Sequence, residues 1–496
     1  MASILLTDIP SDIIIQIFAL LDLQDLISLR KTCKKFSSLS YEKTLWLQQV
    51  DKLYTENLLF PSSIPLYSLS SSLLEDIATR PVRWEKLVLQ QEEITPLRTR
   101  IISTPLAFRE NAFHSFLVPG GRFLFAYYEG PPRLVLLDLC TENPDIPLAT
   151  LAVSGRPGFC FVPSPFEGTF STLVFTRLIH STATQKFLDV YDISPYEENC
   201  KFTKIASRDS DPQLISFDVF THPPTAISAN MLVFSRNPQQ LQLGIIWRFR
   251  LDEWIKFRVT TPHVVKIFLL HDSIIFMHAS SFSLCPVPTT GYVCNFDALR
   301  GLPEVELQVL YERMLLPDPY GLNQATDYWY SGSRYHPMVA ISEPSFFMPV
   351  SPLRFYNIEH DKNMIYVRSS IGEACAPPNR SWGAIQVERT VWDSLWIPCN
   401  GGIYRVFHSS NNVAHFYCQG LKSFRQGTAA QAFSTIINVR NIIPDGARIR
   451  VSMCPHSGRA SLTWSSPGSG SDSSGQILIL DFFEPPHSTD LPNSTL

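Results

Sequence analysis

Four short pairings in this sequence bring together residue types that do chemistry. His271 with Asp272, and His360 with Asp361, set an imidazole beside a carboxylate, the combination that orients a general base. His415 with Cys418, and Cys454 with His456, combine the ligand types of zinc. None has the spacing its chemistry needs. Neighbours along a strand point to opposite faces, so an adjacent His–Asp pair is not a dyad by itself. Structural zinc takes clustered ligands, and none of the 10 cysteines stands in a C-x-x-C pair. There is no H-E-x-x-H, no nucleophile elbow and no dinucleotide fingerprint. The glycines between Ser465 and Gly475 precede no Gly-Lys-Ser/Thr and read as a flexible loop. These residues are read as core, turn or surface positions. No catalytic residue, metal or cofactor is expected from these spacings, and a triad assembled in space from distant residues stays open.

The elements that position these residues need cores. The chain has 496 residues, 45% hydrophobic and 17% charged, which implies two or three well-packed domains and excludes wholesale disorder. A formal net charge of -4 supplies no basic excess for nucleic acid or an anionic membrane. The apolar run from Ile13 to Leu23 falls far short of the ~20 residues of a spanning helix. Asp8 precedes it, so it is not a secretory signal either. With scattered, reduced cysteines, a cytoplasmic or nuclear location is expected.

The first fifty residues predict three short helices. Pro10 suits a first turn and Asp12 the positive end of that helix, which runs to about Leu21. Asp22 suits the N-cap of a second helix carrying Leu26, Leu29, Cys33 and Phe36 on one face. Ser40 and Glu42 begin a third, with Leu45, Trp46 and Val50. Ile13, Ile14, Ile17, Phe18 and Leu21 suit an internal face, which leaves Ile15, Ala19 and Leu20 on other sides. So small a trio buries too little to stand alone, and several large apolar side chains left in water call for a partner.

The ordered set Ile9, Pro10, Asp12, Ile17, Phe18, Asp25, Leu26, Cys33, Lys34, Phe36, Leu45 and Trp46 resembles an F-box. The family pattern is Leu-Pro-x-Glu, Ile-Phe, Asp-Leu, Cys-Lys-x-Phe and Leu-Trp. Ile9 and Asp12 depart from it while keeping the character of their positions. The resemblance implies a three-helix module docking on a Skp-type adaptor. That adaptor joins it to a cullin and a RING subunit in an SCF ubiquitin ligase. The adaptor contacts it implies are Pro10, Ile13, Ile14, Ile17, Phe18, Leu21, Leu26 and Leu29. Residues 74–86 also resemble the segment that follows the F-box in many basidiomycete fungal F-box proteins.

Residues 51–96 read as a helical linker, with one helix after the serines at 70–72 and another opened by Pro81. From about Leu97 the texture turns to short β runs with Pro, Gly and aromatics. A strand, a polar turn and a second strand, often ending in Asp, recur about seven times at an irregular period. The run Gly121–Tyr127 with Leu134–Asp138 is one such unit. Ser461–Trp464 with Ile477–Asp481 is another. The pattern resembles a divergent WD-type β-propeller of six to eight blades, with Leu97–Ile102 supplying a closing strand. A pair of β-sandwiches is the alternative. The expected organisation is therefore α then all-β: F-box 1–50, linker 51–96, a substrate-binding propeller over 97–485 and a tail over 486–496.

Residues 296–336 read as an insertion. Its Tyr328, Trp329, Tyr330, Arg334 and Tyr335 have the composition of a partner-binding hot spot, although aromatics also pack cores. The chain is thus expected to be a non-catalytic ligase subunit whose partners are the adaptor, the cullin–RING core and an unknown substrate protein. The rival readings are a propeller-borne hydrolase or ligand-binding protein, and an F-box protein acting outside a ligase.

Overall fold

The computed structural model describes residues 9–56, 59, 66–91, 93–102, 112–129, 132–141, 143–153, 158–163, 170–177, 186–195, 199–210, 225–227, 230–235, 243–258, 264–270, 273–278, 281–288, 305–314, 324–325, 339–343, 353–361, 364–372, 395–399, 402–408, 415–422, 431–439, 442–443, 448–465 and 476–484. Five α-helices come first: α1 (Ser11–Leu20), α2 (Leu23–Arg30), α3 (Lys34–Leu39), α4 (Lys43–Glu56) and α5 (Ser71–Gln90).

Two boundaries differ from expectation. The second helix is interrupted after Arg30. Cys33 takes up an extended backbone and its Sγ accepts the Phe36 N–H, capping a separate α3. The Thr32 hydroxyl meanwhile turns back to the Leu29 carbonyl, 2.7 Å away. Side chains that bond local backbone in this way compete with helix continuation. Conversely, Pro81 does not open a helix but lies inside α5. Interior proline costs a helix ~3 kcal/mol. Burial on both sides of it offsets that cost: Leu74, Ile77 and Ala78 before, Trp84 and Val88 after.

Two short strands follow, β1 (Glu93–Ile94) and β2 (Arg98–Ile102), and then four-stranded antiparallel units in succession. They are β3–β6 (Ala112–Leu117, Phe123–Glu129, Pro132–Asp138, Pro147–Ala152) and β7–β10 (Gly158–Pro163, Phe170–Arg177, Lys186–Ile193, Phe202–Ser210). Next come β11–β14 (Thr225–Ile227, Leu232–Ser235, Leu243–Arg248, Glu253–Arg258) and β15–β17 (Val264–Leu270, Ser273–His278, Ser281–Pro286). β18 (Val305–Glu306) adds in parallel to β14, and β19 (Tyr311–Met314) completes the fourth unit on β17. β20–β23 (Gln324–Ala325, Val339–Glu343, Leu353–Asp361, Met364–Gly372) and β24–β27 (Leu395–Cys399, Gly402–His408, His415–Lys422, Gln431–Asn438) make the fifth and sixth. The seventh is β28–β30 (Arg448–Cys454, Arg459–Ser465, Gln476–Asp481), with β2 as its fourth strand.

Among the described residues this makes seven sheets whose last is completed by a strand from before the first, a β-propeller. The expected closing strand is β2, in register from Arg98 opposite Asp481 to Ile102 opposite Ile477. β3 packs on both β28 and β29, joining the first blade to the last. Central strands are covered on both faces by neighbouring blades, so Phe123–Tyr128 and Leu134–Asp138 are buried throughout. This is why they read as continuous apolar runs and not as alternating ones.

Two expectations change in detail. Parts of the expected 296–336 insertion are blade structure, since β18, β19 and β20 fall within it. Strands of two to four residues are too short to show periodicity. The sequence also suggests a strand over Phe346–Val350 before Leu353; that run lies outside the described residues, and Leu353–Asp361 pairs with Val339–Glu343. In the first helix Ile13 and Ile17 face solvent, not the interior, for the reason given in the next subsection.

In the first and seventh blades the strand-end aspartate has a physical cause. Arg122 holds Asp138 at 2.7 Å, and Arg459 holds Asp481 at 2.5 Å. Each arginine follows a left-handed glycine, Gly121 (φ 74°) or Gly458 (φ 63°), which turns the first strand of the blade into the second. A Cβ at Gly458 would also meet the Phe483 ring at 2.2 Å. Gly458→Ala is therefore expected to lower stability by about 2 kcal/mol or more, read by equilibrium urea unfolding. An unchanged midpoint would show that this turn does not hold the seam.

Candidate functional site

The chemistry-bearing pairs fall at four separate places along the chain. His271 and Asp272 lie outside the described residues, and His360 and Asp361 end strand β22. His415 and Cys418 sit on β26. Cys454 and His456 are buried at the β28–β29 turn, where the Cys454 Sγ accepts the Gly120 N–H. Among the described residues, no three His, Cys, Asp or Glu side chains converge as a metal site. Burial pushes the Cys285 thiol up to about 12, which keeps it protonated and unreactive. No described helix is long and apolar enough to cross a membrane.

The feature that asks for a partner is α1. Ile14 and Phe18 are 1% and 2% exposed, packed in one core with Leu26, Phe36, Leu45 and Trp46. The Phe18 ring meets Phe36 edge-on, with centroids 5.6 Å apart. On the neighbouring face Ile13 is 45% exposed, Ile17 37% and Leu20 83%. The spacing i, i+4, i+7 lines these three along one helical face. The eight residues marked by the sequence resemblance therefore divide. Pro10, Ile13 and Ile17 are exposed; Ile14, Phe18 and Leu26 are interior; Leu21 and Leu29 are half-buried. Leu20 was not among the eight, although the 13/17/20 spacing was visible in the sequence. Asp12, Asp22 and Asp25 are exposed around the stripe. The aromatic set Tyr328, Trp329, Tyr330, Arg334 and Tyr335 lies outside the described residues.

The helices beneath hold this face in place. Gln49 donates to the carbonyls of Ala19 (3.2 Å) and Leu21 (3.5 Å), satisfying the end of α1, and Lys35 donates to the Ile9 carbonyl at its start. Arg30 grips Glu75 of α5 with two nitrogens, at 2.7 and 3.0 Å. It also bonds the Ser40 hydroxyl and lies 4.4 Å from the Tyr41 ring centroid. Hydrogen bonding to Glu75 raises the pKa of Arg30 further.

Residues 6–50 match the family model described as F-box-like. The N-terminal segment is F-box-like. No curated protein matches the chain. Among solved structures it is similar to the β-propeller domain of Cps50 (Swd1) of Myceliophteria thermophila, at 8% identity and a TM-score of 0.42 over 77% of this chain and 99% of that one. It is also similar to the N-terminal domain of Nup159, at 11% identity and a TM-score of 0.35 over 79% and 97%. Hsv2 of Kluyveromyces lactis matches at 10% identity and a TM-score of 0.31 over 65% and 96%. The fold of the present chain is set by its own strand pairing. Beneath the F-box-like helices the buried core runs on without a break into Leu117, Leu124, Leu139 and Cys454 of the propeller.

His456 is buried in the turn after Cys454, and neither ring nitrogen has a hydrogen-bond partner in the protein. Burial pushes it down to about 3, below the 6.5 of an exposed histidine. The unfolded chain thus takes up the proton first, and the stability present above pH 6.5 is lost as pH falls toward 3. The expected loss is roughly 1.4 kcal/mol for each pH unit below 6.5. His456→Leu should flatten urea midpoints measured between pH 6.5 and 4; equal slopes in both proteins would place the acid sensitivity elsewhere.

Proposed function

We propose that this chain is the substrate-receptor subunit of an SCF-type ubiquitin ligase. The F-box-like helices dock on a Skp-type adaptor of the cullin–RING core, and the propeller holds a target protein. The observation that carries the reading is the solvent-exposed stripe Ile13, Ile17 and Leu20 on the first helix of an F-box-like segment. Fully burying one such side chain is worth ~1.5–3 kcal/mol, and three aligned at i, i+4 and i+7 are the anchors of helix-in-groove recognition. Pro10 at the start of α1 and the half-buried Leu21 and Leu29 extend the proposed contact. Ile14, Phe18 and Leu26 shape it from beneath without touching the adaptor.

In this reading the chain supplies position and no reacting group. Holding a target lysine near a charged conjugating enzyme raises its effective concentration, the term in which tethering accelerates transfer. A propeller suits that role, because its loops emerge from rigid blades and present an adaptable surface on a fixed frame. The aromatic set at 328–335 is the proposed place to look for target contacts.

The division of α1 into two faces makes the test specific. Ile17→Asp combined with Leu20→Asp places charge on the exposed stripe. It is expected to leave the melting curve intact while abolishing co-purification with a Skp-type adaptor. Phe18→Asp buries an unpaired charge and is expected to cost several kcal/mol of stability, about 3 or more, whatever the partner. Normal adaptor capture by a folded Ile17→Asp/Leu20→Asp protein would refute the docking assignment. Adaptor capture without cullin co-precipitation would instead favour an F-box protein working outside a ligase.

A further inference from the structure

The geometry points to residues 71–102 as a clasp that makes the F-box-like helices and the propeller one cooperative folding unit. This does not depend on the receptor reading. The strap reaches three blades. β1 adds in parallel to β27 of the sixth blade, the Thr435 hydroxyl donates to the Gln91 carbonyl at 2.8 Å, and Asn438 bonds Glu93. β2 then supplies the fourth strand of the seventh blade across five residue pairs. From β2, Arg100 reaches Asp481 at 3.3 Å and the Leu139 carbonyl, beside the first blade, at 3.1 Å. Asp481 is buried between Arg100 and Arg459, and Arg459 in turn donates to the Gly121 carbonyl at 2.6 Å. The seam of the ring is thus held by a segment that the N-terminal helices deliver.

α5 is sunk into both halves. Its C-terminal part puts Trp84 and Val88 into one core with Ile437, Leu480 and Phe482. The Trp84 ring meets Phe482 edge-on at 5.2 Å, and Arg83 lies 4.6 Å from the Phe483 centroid. Arg80, buried, bonds the Glu484 carbonyl at 2.9 Å and Asp76 at 2.6 Å. Its N-terminal part puts Leu74 and Ile77 into the core that holds Ile14, Phe18 and Trp46, and Glu75 takes the Arg30 pair. Among the described residues a buried apolar path therefore runs from the docking helix through Leu74 and Ile77 to Ile477 and Ile479 of the closing blade, which couples the unfolding of one half to the other. An ordinary interdomain contact is smaller and more polar.

The experiment uses the full chain. Trp84→Ala lies outside every blade strand and away from the exposed stripe. Hydrogen exchange in it is expected to accelerate by a common factor, about tenfold or more, in peptides of α4 and in peptides of β29 and β30. Thermal unfolding should remain a single transition at lower temperature. Acceleration confined to α5, with β29 and β30 unchanged, or a transition that splits in two, would overturn the proposal. A second arm keeps the native side chains and places a specific protease site between residues 103 and 111. After cleavage the two fragments should co-elute and melt together. An N-terminal fragment that leaves while the remainder keeps its fold would overturn it equally.

Discussion

A β-sheet leaves its edges unsatisfied, and this constraint organises the protein. Seven small sheets in series would expose one unpaired strand edge after another and a greasy flank at each end of the row. Bending the row until the last blade meets the first covers both flanks, and one strand then has to come from the far end of the chain. Arg98–Ile102 does this by pairing with Ile477–Asp481. Around that seam the interior is polar as well as apolar. The Ser115 hydroxyl bonds that of Thr463 at 2.5 Å, and the Leu117 N–H meets Ser452 at 2.9 Å. Such bonds cost little when made and much when left unmade, so they favour a single register between first and last blade.

Charge is used sparingly and at the same place. Burial is the largest single influence on Arg459 and works against its charge, but Asp481 and Cys140 together outweigh it, leaving that guanidinium above its usual pKa. Arg100, sharing the same carboxylate, is lowered, because its burial outweighs what Asp481 returns. Two arginines share one aspartate at the seam between the seventh blade and the first. His456, buried nearby on the same turn, stays neutral. A buried ion pair is weak evidence for stability but a strong determinant of arrangement, since breaking either partner strands a charge.

The first helix shows how the same residue type serves two ends. Isoleucine at 14 closes the helical core; isoleucine at 13 and 17 faces water. The difference is a rotation of about 100° per residue, and which side becomes the interior depends on where α3 and α4 pack. Gln49, Lys35 and the Phe36 ring place those helices on one side only. The uncovered side is thereby a consequence of packing and not of composition.

Much of this was legible in one dimension. The ordered residues from Ile9 to Trp46 marked the F-box-like segment, because anchors of a small helical module recur at helical spacing. Central strands such as Phe123–Tyr128 and Ile477–Asp481 announced themselves as apolar runs, because both their faces are buried. The strand-end aspartates Asp138 and Asp481 marked two blades, since an arginine after a left-handed glycine binds each. The break at Cys33, the unbroken course of α5 through Pro81, and the short strands β18 to β20 were not legible. Each is decided by side-chain bonds or burial against segments remote in sequence, which no local pattern encodes. Residue type and spacing determined that α1 must bury apolar surface. Only the tertiary structure decided which side is buried at home and which is left open, because that choice depends on what packs around the helix.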